Sequence, residues 1–116
     1  MSRRVVITGM GILSPIGNSV SEFNEGLKNG QNGIRQISHF DTTNFNVHIA
    51  GEVDYNLEGK IDQKELNRMD RFTAMAIIAS DEAILQSRID DSLLDKDRIG
   101  VIIGSGVGGI STFEEQ

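Results

Sequence analysis

Two groups of residues in this chain have types and spacing that could do chemistry. The first is the run Gly104-Ser105-Gly106-Val107-Gly108-Gly109, in which Gly104, Gly106 and Gly109 satisfy G-x-G-x-x-G. It follows an apolar run and precedes Ser111-Thr112-Phe113-Glu114, where Ser and Glu three apart form the capping pattern that opens a helix. In that context backbone N–H groups can approach a pyrophosphate, so dinucleotide binding is one reading. The other is that the glycines only allow tight turns and close packing between layers. The second group is Lys60, Lys64, Arg68 and Arg71, spaced four, four and three. On one continuous helix they would share a face. Such a face suits an acidic partner, or it is a solvated surface softened by Asp62, Glu65 and Asp70.

Composition removes other chemistries from these residues. The 116 residues hold no cysteine, which excludes a disulfide, a thiolate metal site or a thiol nucleophile within them. The two histidines, His39 and His48, have no second ligand at metal spacing and read as surface or turn residues. A formal net charge of −6 argues against general nucleic-acid or anionic-membrane binding. No apolar run approaches the roughly 20 residues of a membrane helix. Arg3-Arg4 before Val5-Val6-Ile7 is too short for a signal peptide, so we expect no membrane insertion and a cytoplasmic setting.

The elements that must position these residues follow from periodicity. Arg4–Thr8 and Arg98–Ile103 are short, mostly β-branched apolar runs without polar alternation, as in strands buried on both faces. Gly9–Asn18 is a Gly/Pro/Ser turn. Ser19 with Glu22 forms a capping box, Val20, Phe23 and Leu27 fall on one stripe, and Gly30 supplies the stop of a short helix. Gln31–Glu58 reads as polar and irregular, with one short strand within His48–Val53. Asp62–Arg88 reads as a short helix leading into a long one near Asp70. Ala74, Met75, Ala76, Ile77, Ile78 and Ala79 leave the long helix no polar face for nearly two turns, which predicts burial on several sides. Asp90–Asp97 is a charged loop. Strand, helix and strand of this kind imply a parallel α/β sheet. Gln116 follows the helix-start pattern by two residues, so we expect the chain to be a piece of something longer, with open strand edges.

Several stretches together resemble the amino terminus of the β-ketoacyl-acyl carrier protein synthases, condensing enzymes of the thiolase-like superfamily. They are Arg4-Val5-Val6-Ile7-Thr8-Gly9-Met10-Gly11, Ser14-Pro15-Ile16-Gly17-Asn18, His39-Phe40-Asp41, Ala50-Gly51-Glu52-Val53, Met69-Asp70-Arg71-Phe72 and Ile99–Gly109. They cover nearly the whole chain in order, and the resemblance is strongest to the elongating type II synthases of bacterial fatty-acid synthesis. The resemblance implies an α/β, layered αβαβα architecture, of which residues 1–116 are an incomplete part of the N-terminal domain. It implies decarboxylative Claisen condensation with malonyl-acyl carrier protein, without metal or organic cofactor, by a homodimer. The family's cysteine nucleophile, lysine and two histidines match no position here, so the resemblance assigns no catalytic residue to this segment.

The same resemblance weighs both opening groups. It implies that the glycine loop borders the acyl pocket, with Gly106, Val107 and Gly108 as substrate-binding residues. Val107 stands where relatives often carry isoleucine, and one methylene less implies a slightly roomier pocket, worth about 1 kcal/mol. It implies docking of the acidic acyl carrier protein on Lys64 and Arg68. Asn67 departs from the arginine common in relatives, which weakens that patch or shares it with other residues. Three alternatives stand beside this reading: a catalytically dead relative such as a chain-length-factor-like partner, a carrier-protein binding module, and, disfavoured because the match extends beyond the glycine loop, a nucleotide-binding oxidoreductase fragment.

Overall fold

The computed structural model describes residues 3–89 and 91–115. Its contacts divide them into two compact units, one of residues 11–56 and one combining the start of the chain with residues from Leu57 onward.

In the first unit the helix α1 spans Val20–Lys28. The Ser19 side chain caps it by accepting from the Glu22 amide at 3.2 Å. The Glu22 carboxylate reaches back to the Asn18 amide at 2.8 Å, one residue before the position a capping box would use. At the other end Gly30 has φ +63°, its N–H bonds the Leu27 carbonyl, and the Gln31 N–H bonds the Gly26 carbonyl at 2.9 Å. This paired closure is a Schellman motif, and the positive φ is why glycine stands there. The predicted helix, cap and stop are all present.

Ahead of α1, Ser14 and Gly17 exchange backbone hydrogen bonds, and the Ser14 hydroxyl donates to the Gly17 carbonyl at 3.0 Å. Pro15, inside this turn, is flanked by two other glycines. A Cβ on Gly33 would stand 2.8 Å from Pro15, and one on Gly51 3.2 Å from it. Two short antiparallel strands, β1 (Arg35–Gln36) and β2 (Ile49–Ala50), pair Arg35 with Ala50 and Gln36 with Ile49. β2 lies within the stretch expected to hold a strand. β1 was not expected, because a two-residue polar strand carries neither alternation nor a β-branched run.

In the second unit a four-residue helix α2 (Gln63–Leu66) is followed by the 17-residue helix α3 (Arg71–Ser87). That is the short-then-long arrangement the sequence predicts. Asp62 caps α2, accepting from the Lys64 amide at 2.9 Å. Ala74 is fully buried and Leu57 nearly so, and they are the buried hydrophobic residues among those described. The remaining apolar positions of α3 are half-covered or, at Phe72, Ile77, Ile84 and Leu85, exposed. The expected burial on several sides is therefore only begun. Gly9 packs against the Ala83 carbonyl of α3, where a Cβ would collide, and the Met10 amide donates to Gln86 Oε1 at 2.7 Å.

The two buried strands are not formed among the described residues. Arg4–Thr8 and Ile99–Ile103 make no ladder, and Val5, Ile7, Val101 and Ile102 are each more than 80% exposed. A strand owes its stability to a hydrogen-bonded neighbour and a covered face, and these runs have neither. Arg98 itself closes a 3-10 turn, Lys96–Arg98. The preceding charged loop carries a second such turn, Asp91–Leu93, while Asp90 lies outside the described residues. No helix among the described residues is long and apolar enough to cross a membrane.

Candidate functional site

The glycine loop leads into α4 (Ile110–Glu115), and its last residues meet the start of α3. Asp70, Arg71 and Phe72 on one side and Gly108, Gly109 and Thr112 on the other border an open hollow of about 190 Å³. Within the loop the Gly108 amide donates to the Ser105 hydroxyl at 3.0 Å, and Gly108 has φ +80°. At Gly109 the constraint is space: a Cβ would run into the carboxylate of Asp70. Around Gly104 and Gly106 nothing lies within 4 Å of a Cβ position. Two of the loop's glycines are thus required by turn geometry and close approach, and two are not.

The site residues expected from the sequence are only partly gathered here. Gly108 borders the hollow, whereas Val107 is 76% exposed and Gly106 faces open space. The helix α4 begins at Ile110, so Ser111 falls inside it rather than at the cap, and the Gly109 carbonyl accepts the Phe113 amide at 3.0 Å. The Ser111 side chain lies outside the described residues. Asp70 and Thr112 were not singled out as site residues. Their hydrogen bond joins positions 42 apart, and no local pattern announces a pair at that separation.

The basic group is also rearranged. Lys60 sits in the turn before α2, its amide bonded to the Leu57 carbonyl at 3.2 Å, and Arg68 sits in the turn after it. Arg71 opens α3. The continuous helical face over Lys60–Arg71 is therefore broken, because the chain leaves the helix between Leu66 and Arg71. Lys64 and Arg68 remain exposed and join no ion pair among the described residues. Two of the acids expected to soften this surface are engaged elsewhere, Asp62 with a backbone amide and Asp70 with Thr112.

His39 and His48 are exposed, and a ring nitrogen of His48 lies 3.0 Å from the Thr42 hydroxyl. The stronger polar cluster nearby belongs to Glu52. Its carboxylate accepts the Ser38 amide at 3.0 and 3.1 Å, the Ser38 hydroxyl at 2.8 Å and the His39 amide at 3.3 Å. The Ser38 hydroxyl first, with the amides behind it, holds the Glu52 carboxyl below its ordinary pKa. Asp41 is lowered likewise, chiefly by the Thr43 hydroxyl at 2.6 Å.

The unit that holds α3 thus carries a glycine loop pinned to a helix start and an exposed basic pair, and no metal cluster or thiol is present among the described residues. Residues 2–116 match the model of the β-ketoacyl synthase N-terminal domain, and the chain belongs to that family. Among its relatives, the 3-oxoacyl-[acyl-carrier-protein] synthase 2 of Staphylococcus aureus (strain COL) is 53% identical over 114 residues, covering 97% of this chain and 28% of that protein. The protein of the same name from a Synechocystis species is 42% identical over 115 residues. The solved structure of the ishigamide ketosynthase/chain length factor superposes with a TM-score of 0.70 at 36% identity, over 79% of this chain and 23% of that one. The chain thus spans 28% of the length of both synthases. The family match runs far outside Gly104–Gly109.

Proposed function

We propose that residues 1–116 form the amino-terminal part of a 3-oxoacyl-acyl carrier protein synthase that elongates acyl thioesters in fatty-acid biosynthesis. The observation that carries this is the 53% identity to a synthase so named, spread over nearly the whole segment. On this reading an acyl group passes from its carrier protein to a cysteine, and malonyl-carrier protein loses carbon dioxide. The resulting carbanion attacks the acyl carbonyl. The cysteine, lysine and two histidines of that reaction match no residue of this segment, which contributes no catalytic side chain and is inactive alone. Neither a metal nor an organic cofactor is needed.

The segment's own part is architectural and recognitional. Arg4–Thr8 and Arg98–Ile103 become strands of a layered αβαβα fold once the remainder of the protein covers them, and their exposed β-branched side chains are the surface such layers would cover. Gly106, Val107 and Gly108 border the acyl pocket. Lys64 and Arg68 receive the acidic carrier protein, an assignment supported by their exposure and by the lack of acidic partners among the described residues. The protein is a cytoplasmic homodimer on this reading.

The test is condensation by the full-length protein, with malonyl-carrier protein and an acyl-carrier protein as substrates. We expect ketoacyl product. Lys64→Glu and Arg68→Glu raise KM for the carrier protein several-fold, most at low salt, because steering acts on encounter and is screened. Absence of product with intact carrier-protein binding would point instead to a non-catalytic relative or binding module. The ketosynthase/chain length factor neighbour keeps the non-catalytic relative in view.

A further inference from the structure

The Asp70 carboxylate is not used by its own helix. At the N-cap of α3 it would ordinarily accept from an amide two or three residues on, yet it makes no such bond. The backbone carbonyl of Asp70 takes the Thr73 and Ala74 amides at 3.0 and 3.2 Å. The carboxylate instead accepts the hydroxyl of Thr112 and lies directly against the Gly109 Cα. Gly109 is the residue on which α4 closes, through its carbonyl and the Phe113 amide. One carboxylate at the head of α3 thus holds both the last glycine of the loop and the first turn of α4. The middle of the loop, with Gly106 and Val107, is closed by the loop's own bond from the Gly108 amide to the Ser105 hydroxyl, and among the described residues nothing lies within 4 Å of a Cβ on Gly106.

We propose that Asp70 is a positioning residue for the acyl pocket, with Thr112 as the donor that orients it. Their bond fixes the end of the loop and thereby where Val107 stands relative to α3. This rests on the reading of Val107 as pocket wall. It adds that wall position is set by a side chain outside the loop, at the helix start that follows the carrier-protein surface. Glycine at 109 is part of the same device, because any larger residue would push the carboxylate off Thr112.

The test uses the full-length protein, Thr112→Val, Thr112→Ser, Asp70→Asn and Val107→Ile, with acyl-carrier proteins of increasing chain length. Thr112→Val keeps the shape and removes the donor. We expect it to raise KM for the longest acceptable chain roughly threefold more than for the shortest, on the scale of one exposed hydrogen bond. Amide exchange over residues 104–109 should rise in parallel. Thr112→Ser restores both, and Asp70→Asn, which keeps an acceptor oxygen, shows a smaller change than Thr112→Val. An unaltered chain-length profile and unaltered exchange in Thr112→Val would overturn the proposal. If Val107→Ile shifts the profile and Thr112→Val does not, the positioning role fails while the pocket reading stands. If Val107→Ile shifts nothing, the pocket reading fails and the proposal with it.

Discussion

Residues 11–56 and residues 57–115 solve the problem of satisfying a backbone in different ways. In the first stretch nearly every element is closed by a neighbour in sequence: Ser19 and Glu22 at the head of α1, Gly30 and Gln31 at its foot, Ser14 with Gly17 in the turn before it. The longer links run from Glu52 to Ser38, from Arg35 to the Glu52 carbonyl at 3.2 Å and, across 36 residues, from the Asn18 side-chain amide to the Asp54 carbonyl at 3.2 Å. In the second stretch the decisive contacts are distant. Thr112 reaches Asp70 across 42 residues, and Met10, at the start of the chain but in the same unit, reaches Gln86 across 76. Local closure builds a unit from short-range signals, whereas α3 and the runs around it depend on surfaces brought from elsewhere in the chain. That is why exposed apolar side chains such as Val101, Ile102 and Leu85 collect in the second stretch.

The sharpest way to break this contrast is at Ala74, the fully buried residue of α3. Ala74→Asp places an unpaired carboxylate there, and a loss of about 3 kcal/mol or more is expected. In the full-length protein, urea unfolding should show it, with amide exchange rising along the whole of α3. A change confined to one turn would mean that α3 is held locally, as α1 is.

The matching experiment in the first stretch has a smaller and more confined effect. Ser19→Ala removes the side-chain cap of α1 and should cost about 1 kcal/mol. Gly30→Ala forces φ +63° on a residue with a Cβ and should cost a similar amount. Exchange should rise at the corresponding end of α1 and leave α3 unchanged. Loosening of α3 by either variant would dissolve the distinction between the two regions.

The smallest effect concerns acid. Glu52 and Asp41 have folded-state pKa values below their ordinary ones. Their contribution is therefore fully present above the ordinary carboxylate pKa and is lost as pH falls through the lowered value. Exchange protection of the Ser38 and His39 amides should fall over that acid window, and Glu52→Gln should flatten the dependence. Protection that is the same at all pH values would remove the carboxylate from the account.

Much of the secondary structure was legible because its causes are local. Ser19 three residues before Glu22 and Gly30 after Lys28 are signals read within a turn. β1 was not legible, since Arg35–Gln36 becomes a strand only because Ile49–Ala50 lies beside it. The strands expected at Arg4–Thr8 and Arg98–Ile103 show the converse, a pattern that states what a segment needs without supplying it. The candidate site divides the same way. Its glycines and basic residues stand out by spacing, while the shared face of Lys60, Lys64, Arg68 and Arg71 dissolves once the helix is interrupted.

The sequence by itself determined the family, the positions of α1, α2 and α3, and the location of the glycine loop, because each rests on residue order and short-range hydrogen bonding. Only the tertiary structure decided that Gly109 must lack a side chain, that Asp70 turns from its own helix to Thr112, and that Lys64 and Arg68 stand without acidic partners among the described residues. These are matters of which groups compete for the same space and the same proton donor. Residues far apart in the chain settle that competition only after the backbone has brought them together.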